Sequence, residues 1–510
     1  MYTLSAFLPF FLTISLIITL GYSSAPLDDQ DIAASSSKLR KVKGDVSNSQ
    51  ESPVVNGAYI VRLTDKTSAA TVKSTAATTV ASMQTLKKLL ISNGTIPIAS
   101  NDVVINVQPE HIFTNCIKGF VIQGIHDTMY SSLLQITGVI RVEADRITSI
   151  EDSMDNKSES TTKEDEIEIQ QQVTPWGVSR VWDRTNPPPG PFTGIAFILS
   201  TGISDDTQDL NIDADLSENF ASGGDWPYWR DLHGEGTHVA GTIAAINNNI
   251  GVVGVAPGTT VVAVRVLDAQ GNGLLSNAIS GVEYAYSKAK KGDVVFLGFG
   301  FRYDTVEYGS FILNAAVQKT ASQGVRFAIK AGNSLPSPGV SRDSEDYTPA
   351  SASGTNIFTV AAYRVSGDFW AESFTGDVVN AVGPGVSILS LGRSFGSRSF
   401  RSGTSMAAAH IAGLLLAGKM IDDGNIYGWD GNPYPKKKYG GPITPPPPTK
   451  ENLFSVLLRT DRWPRESAFT LTKISPGPPT LIASRGDGDF MREKKYECSI
   501  ALPKGMYQFI

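Results

Sequence analysis

Cysteine is nearly missing from this chain of 510 residues: there are two, Cys116 and Cys498, far apart in the sequence. A disulfide framework needs several closely spaced cysteines and is therefore excluded as the source of stability, and free or unrelated thiols are expected. Strong charge of either sign is also missing. Forty-four Lys and Arg against 50 Asp and Glu leave a formal charge of −6, and no Lys/Arg block forms a phosphate-binding face, which excludes nucleic acid as a partner. Long apolar runs are absent beyond the N-terminus. There, Phe7 to Leu20 is almost uninterruptedly apolar and is followed by the small residues Gly21, Ser23 and Ala25. That pattern is a secretory signal peptide, shorter than the ~20 residues a membrane span needs. It predicts a secreted, extracellular protein with no membrane association once the signal is removed.

What remains is ordinary globular composition, with 41% hydrophobic residues and many turns, given 48 Gly and 28 Pro. The length points to two or three folded units. Residues 1–25 are the signal, and 26–56 form a polar linker without apolar periodicity. A small unit follows at 57–150. Its expected strands are Ala58 to Leu63, Gly119 to Ile125 and Val139 to Glu143, with helices at 78–91 and from Met129 to Leu134. This is an α+β pattern with helices on one face of an antiparallel sheet.

Residues 151–172 form an acidic linker, with eight Asp/Glu against two Lys within 151–170, as befits an accessible hinge. From 173 to 460, short apolar β-rich runs alternate with helical patterns. The runs are Ile195 to Leu199, Val261 to Leu267, Val294 to Leu297, Val325 to Ile329 and Ile357 to Ala361. Helices are expected at 236–246, 276–289, 309–322 and 405–421. That order predicts an α/β fold, a mainly parallel sheet with helices on both faces. Residues 424–448, rich in Gly, Pro and Lys and ending in Pro445 to Pro448, read as an extended exposed excursion. Glu451 to Arg459 reads as one more helix, and 461–510 is left unassigned.

The most informative segment runs from Ser402-Gly403-Thr404-Ser405 through Met406-Ala407-Ala408-Ala409-His410-Ile411-Ala412-Gly413. It sets a serine on a Gly-Thr turn at the start of an apolar helix, where the positive helix end faces the hydroxyl. It resembles the nucleophile motif of the subtilisin-like serine proteases, with Ala409 where that family usually has proline. Ile329-Lys330-Ala331-Gly332-Asn333 resembles the family's oxyanion segment, and the resemblance implies that Asn333 donates its side-chain amide to the developing oxyanion. Asp293 to Gly300 falls where the family pairs with substrate. The resemblance thus implies substrate binding at Gly298, Phe299, Gly300, Ala331 and Gly332, and the subtilisin-like fold for the large unit. It also implies that residues 57–150 are the inhibitory propeptide, acting as folding chaperone and pseudo-substrate.

Two departures cut against catalysis. The family's strand ending in the triad aspartate here ends in Ser200, and its His-Gly-Thr-His motif reads Glu235-Gly236-Thr237-His238, so the general-base position holds Glu235. In a Ser-His-Asp triad the imidazole takes and returns the proton, while the aspartate fixes its tautomer. Ser200 and Glu235 perform neither task. His233 leaves the turn in another direction, His238 occupies a motif position of its own inside the following helix, and Asp205 and Asp206 read as solvated turn residues. The expectation is an inactive or severely impaired protease homologue whose groove binds a peptide, a protein ligand or its own propeptide. The alternative is an active serine endopeptidase, either of subtilisin type or similar to the sedolisins, with Glu235 as base. Sedolisins also carry an Asp one helical turn after the Glu and an Asp in place of the oxyanion Asn; this chain has Val239 and Asn333. No cofactor is expected. Structural calcium, frequent in the family, has no ligand loop that stands out.

Overall fold

The computed structural model describes residues 53–97, 103–150, 171–183, 192–221, 228–302, 311–334 and 341–441 in full, together with the backbone of short strands at 153–154 and between 452 and 509. The residues read as signal and linker before 53, most of the acidic stretch 151–172 and Pro445 to Pro448 lie outside the described residues.

Strand alternation builds the large unit. In Ile195–Ser200, Ala196 and Ile198 enter one core while Phe197 and Leu199 enter another, the period-2 consequence of a sheet buried on both faces. The first core is covered by helices Glu235–Ala244 and Thr404–Ala417, the second by Leu275–Lys288 and Phe311–Ala321. Parallel neighbours run in the order Val379–Pro384, Ile357–Tyr363, Arg326–Lys330, Val294–Leu297, Ile195–Ser200 and Thr260–Arg265. The expected α/β fold is present, and the carboxyl ends of these strands converge on one rim.

Three expectations are corrected. The helix at 405–421 stops at Ala417 because Gly418, at φ 88, takes the left-handed cap. The segment after it is no free excursion: Met420–Tyr427 and Pro433–Tyr439 pair antiparallel and extend the main sheet at its edge. Pro and Lys hide that hairpin from a hydrophobicity reading, and both residue types suit sheet edges. Asn452–Arg459, expected as helix, is a strand paired with Lys495–Leu502; an apolar run this short does not discriminate between the two.

The small unit is a mostly antiparallel sheet of Val54–Leu63, Gly119–Ile122, Ile112–Phe113 and Val139–Ser149 with helices Ala69–Ser92 and Tyr130–Leu133. Its two faces are also divided. Val61, Phe120 and Ile122 pack on its own helices, whereas Ile60, Phe113 and Val121 enter the large unit's second core. Polar contacts then fix the docking. Asp145, fully buried, accepts hydrogen bonds from Ser276 N at 3.0 Å and Ser276 Oγ at 2.7 Å, capping helix Leu275–Lys288 across the interface. Burial raises its carboxyl pKa and these bonds oppose the rise.

Glu283, on the same helix, accepts from Thr114 N at 2.6 Å, from Asn115 N, from Cys116 N at 2.8 Å and from the Cys116 thiol at 2.8 Å. Burial, reinforced by the Glu283 charge, pushes that thiol well above its usual pKa. Glu283→Ala strands three backbone donors, so urea denaturation of the variant should show a loss of about 3 kcal/mol. Cys116 should then react with maleimide under native conditions, which the intact protein resists.

Candidate active site

Ser200 ends its strand fully buried, and its hydroxyl donates to Glu235 Oε2. Glu235 opens helix Glu235–Ala244 after Gly234, whose φ of 100 turns the chain into the helix. The turn is held by Asp231: Oδ1 accepts from Thr201 Oγ1 at 2.9 Å, His233 N at 2.9 Å and Gly234 N at 2.7 Å. Oδ2 accepts from Thr237 N at 2.9 Å and Thr237 Oγ1 at 2.6 Å. Five donors on one buried carboxylate make this the anchor of the loop. Gly236 is obligatory, since a Cβ there would lie 2.0 Å from Gly202 O.

The Glu235 carboxyl reaches Gly298, where its Oε1 is 2.8 Å from the position a Cβ would take. Ser405, at the first turn of helix Thr404–Ala417, meets the same residue from the other side, its hydroxyl donating to Gly298 O at 3.3 Å. Asn333 is oriented by Thr404, whose N at 3.0 Å and Oγ1 at 2.8 Å both donate to Asn333 Oδ1. A backbone N–H only donates, so the atom it meets is the amide oxygen, which fixes the orientation of the side chain. Gly332 N donates to Thr404 Oγ1 at 3.2 Å, which ties the 331–333 segment to the helix. Phe299 and Ala331 turn their side chains into the cores, leaving only their backbone for the groove.

None of the five histidines holds the Ser405 hydroxyl, whose side-chain bond is the one to Gly298. His238 faces Ile388 O at 2.9 Å inside the core, and burial lowers its pKa to about 3. His410 faces Met406 O at 2.8 Å, lowered by burial to about 4. His233 uses its backbone on Asp231, and His111 and His126 belong to the small unit. Asp205 and Asp206 pair with Arg230 at 2.9 and 3.5 Å, away from Ser200.

The groove already contains chain. Ile147, Thr148 and Ser149 pair antiparallel with Leu274, Gly273 and Asn272. On the other side, Ser149 N donates to Gly300 O at 3.2 Å and Gly300 N to Ser149 O at 3.3 Å. Beyond Ile150, whose N bonds Gly271 O at 3.0 Å, Ser153–Met154 pairs with Arg401–Ser402, three positions before Ser405. The small unit's last strand and its continuation thus pair on both sides of the nucleophile position.

A second feature lies at Gln172. Its amide nitrogen is within 2.7 Å of Ile246 O, 3.0 Å of Asn248 Oδ1, 3.1 Å of Ile250 O and 3.3 Å of Val252 O. An NH₂ group has two hydrogens, so four oxygens converge where two suffice. Asp209 stands beside them, accepting from Asn248 Nδ2 at 2.8 Å and Val252 N at 3.1 Å, and burial raises its pKa to about 7.

A serine at a helix start, an amide held beside it and a peptide groove at the carboxyl rim of a parallel sheet define the site of a serine-peptidase class. Comparison with known proteins agrees. The model of the subtilase family matches residues 142–420. Subtilisin E of Bacillus subtilis is 35% identical over 247 residues, which is 48% of this chain and 60% of that protein; the chain thus spans about three-fifths of the length of such relatives. The thermostable alkaline protease of Halalkalibacterium halodurans is 31% identical over 345 residues, 65% of this chain and 87% of that protein. Among solved structures, a cold adapted subtilisin-like serine proteinase is similar with 27% identity and a TM-score of 0.39, over 48% of this chain and 83% of that one. The chain belongs to the subtilase family.

Asp231, Asp145 and Glu283 were not visible as site-building residues from sequence, because their partners are distant backbone donors. The two neutral, buried histidines give a pH signature. The unfolded chain takes up a proton below about pH 6.5 that His238 refuses in the fold until about pH 3, so stability falls with acidification across that window. In His238→Gln the stability difference between pH 7 and pH 4, read by urea unfolding, should shrink by about 3 kcal/mol.

Proposed function

We propose that this chain is a secreted subtilisin-like protein whose groove binds peptide without efficient hydrolysis, and that residues 57–150 are a propeptide-like domain that stays attached. One observation carries the reading: the Ser405 hydroxyl donates to the Gly298 carbonyl at 3.3 Å, while the side chain in the base position is engaged by Ser200. An amide oxygen cannot take a proton at neutral pH. A carboxylate, with an ordinary pKa about two units below that of imidazole, is a weaker base for the same step. Oxyanion stabilisation through Asn333 and groove binding remain, on the order of 10³–10⁴ over water in enzymes of this family that have lost their triad. The filled groove supports binding over turnover. Secretion rests on the apolar segment near the N-terminus.

Purified full-length protein should neither hydrolyse peptide substrates nor label with a serine-directed phosphonate above the level of Ser405→Ala between pH 3 and 9. Robust Ser405-dependent turnover overturns the reading, and labelling confined to acid pH would instead favour Glu235 as a working base. Because positions 200 and 235 already touch, the double variant Ser200→Asp, Glu235→His should gain at least about 10³-fold in peptidase rate over the native chain.

The oxygens around Gln172 fit a calcium ion, a hard cation taking six to eight carbonyl, amide and carboxylate oxygens. Ile246 O, Asn248 Oδ1, Ile250 O, Val252 O and Asp209 would hold it, with the Gln172 amide turned so that its oxygen and not its nitrogen faces them, and it would supply structural stability. The raised pKa of Asp209 is that of a buried carboxylate whose charge a cation would favour. Calcium should raise the Tm by several degrees relative to chelator-treated protein; Asp209→Asn should abolish that difference.

A further inference from the structure

Two triplets in the sequence, Asn93-Gly94-Thr95 and Asn156-Lys157-Ser158, match the acceptor for asparagine-linked glycosylation, an Asn followed two positions later by Ser or Thr with no Pro between. The second lies outside the described residues. Short triplets recur by chance, so the fold decides which of them can carry a glycan, a bulky group that needs solvent around it. Helix Ala69–Ser92 ends at Asn93, whose N donates to Leu89 O at 3.1 Å. Gly94 then takes a left-handed φ of 77 and Thr95 N reaches Leu90 O at 2.8 Å. The turn is pinned from behind by Ile96, buried in the small unit's core, with its N donating to Leu90 O at 3.1 Å. In front it is open. Ser92, Asn93, Gly94 and Thr95 are all exposed, and a Cβ built on Gly94 meets nothing within 4 Å.

The carboxamide is oriented as well. Its Oδ1 accepts from Thr95 N at 3.0 Å, which makes Nδ2 the outer end of an exposed side chain. The helix packs through Val72, Ala76 and Met83 on the sheet face that carries Val61, Phe120 and Ile122, whereas Ile60, Phe113 and Val121 enter the large unit's core from the other face. Asn93 therefore stands on the side of the small unit turned away from that core. We propose that Asn93 is a glycosylation site, its Nδ2 accepting an oligosaccharide from a lipid diphosphate donor as the chain enters the secretory lumen. The bond from Nδ2 to the sugar C1 forms and the bond from C1 to the diphosphate oxygen breaks. The diphosphate leaves with the electron pair, and one amide proton is released. The carbonyl oxygen takes no part, so its bond to Thr95 N survives and the helix keeps its end. Transfer precedes folding, and the fold's contribution is to leave the product in solvent, clear of the docked face. The proposal goes beyond the peptide-binding reading and rests only on its secretion.

The full chain, expressed in a eukaryotic secretory host with its own N-terminus and with residues 1–25 exchanged for an established leader, provides the test, read on cells and medium together. Digestion with peptide N-glycosidase in heavy-oxygen water should leave a labelled aspartate at position 93, seen by mass spectrometry. In an Asn156→Gln background the same digestion should remove one electrophoretic step. Asn93→Asp keeps the oxygen that Thr95 N needs and lacks the amide, so the step should vanish without harm to the turn. Thr95→Ala should also lose the step, and Thr95→Ser should keep it. An unlabelled position 93 in the leader-exchanged protein overturns the site. Labelling with the exchanged leader but not with the native N-terminus overturns secretion and leaves the site standing, whereas unlabelled protein recovered from the medium does the reverse.

Discussion

A carboxylate closed off from water at Gly298 is the constraint around which the rest of the site is arranged. Burying a charge is costly unless hydrogen-bond donors surround it. Glu235 is fully buried at the start of a helix, where the macrodipole favours an anion, and it accepts the Ser200 hydroxyl. Ser200 and Glu235, far apart in sequence, therefore pair with each other. Their pairing keeps the strand end and the helix start together.

Asp231 supports this arrangement from behind by collecting backbone and hydroxyl donors of the turn, so the loop does not depend on the catalytic pair for its shape. Thr404 does the equivalent for the oxyanion side by fixing Asn333. The oxyanion side and the turn before Glu235 are thus each held by hydrogen bonds of their own. The strand pairing of Ile147 to Ser149 with 272–274 and with Gly300 uses backbone groups alone.

The small unit is joined to the large one by two mechanisms with different physics. Apolar alternation sends one face of its sheet into the large unit's core, which is non-directional and proportional to area. Asp145 and Glu283 then fix the register by satisfying N–H groups across the boundary. The strand that carries Asp145 runs directly into the groove, so docking and groove filling are one event.

Much of this was legible in the residues alone. The alternation of apolar runs with helical patterns determined the parallel sheet, and the segments around Ser405, Asn333 and Glu235 determined the family to which the chain belongs. Local signals sufficed because periodicity and short motifs are properties of neighbours in sequence. The hairpin after Gly418 escaped for the same reason, since its stability comes from pairing with a sheet edge and not from its own apolar content. Only the tertiary structure decided that Ser200 and Glu235 touch and that every histidine is elsewhere than on Ser405. These are distances between segments far apart in the chain, set by sheet register and helix packing, and no spacing along the sequence encodes them.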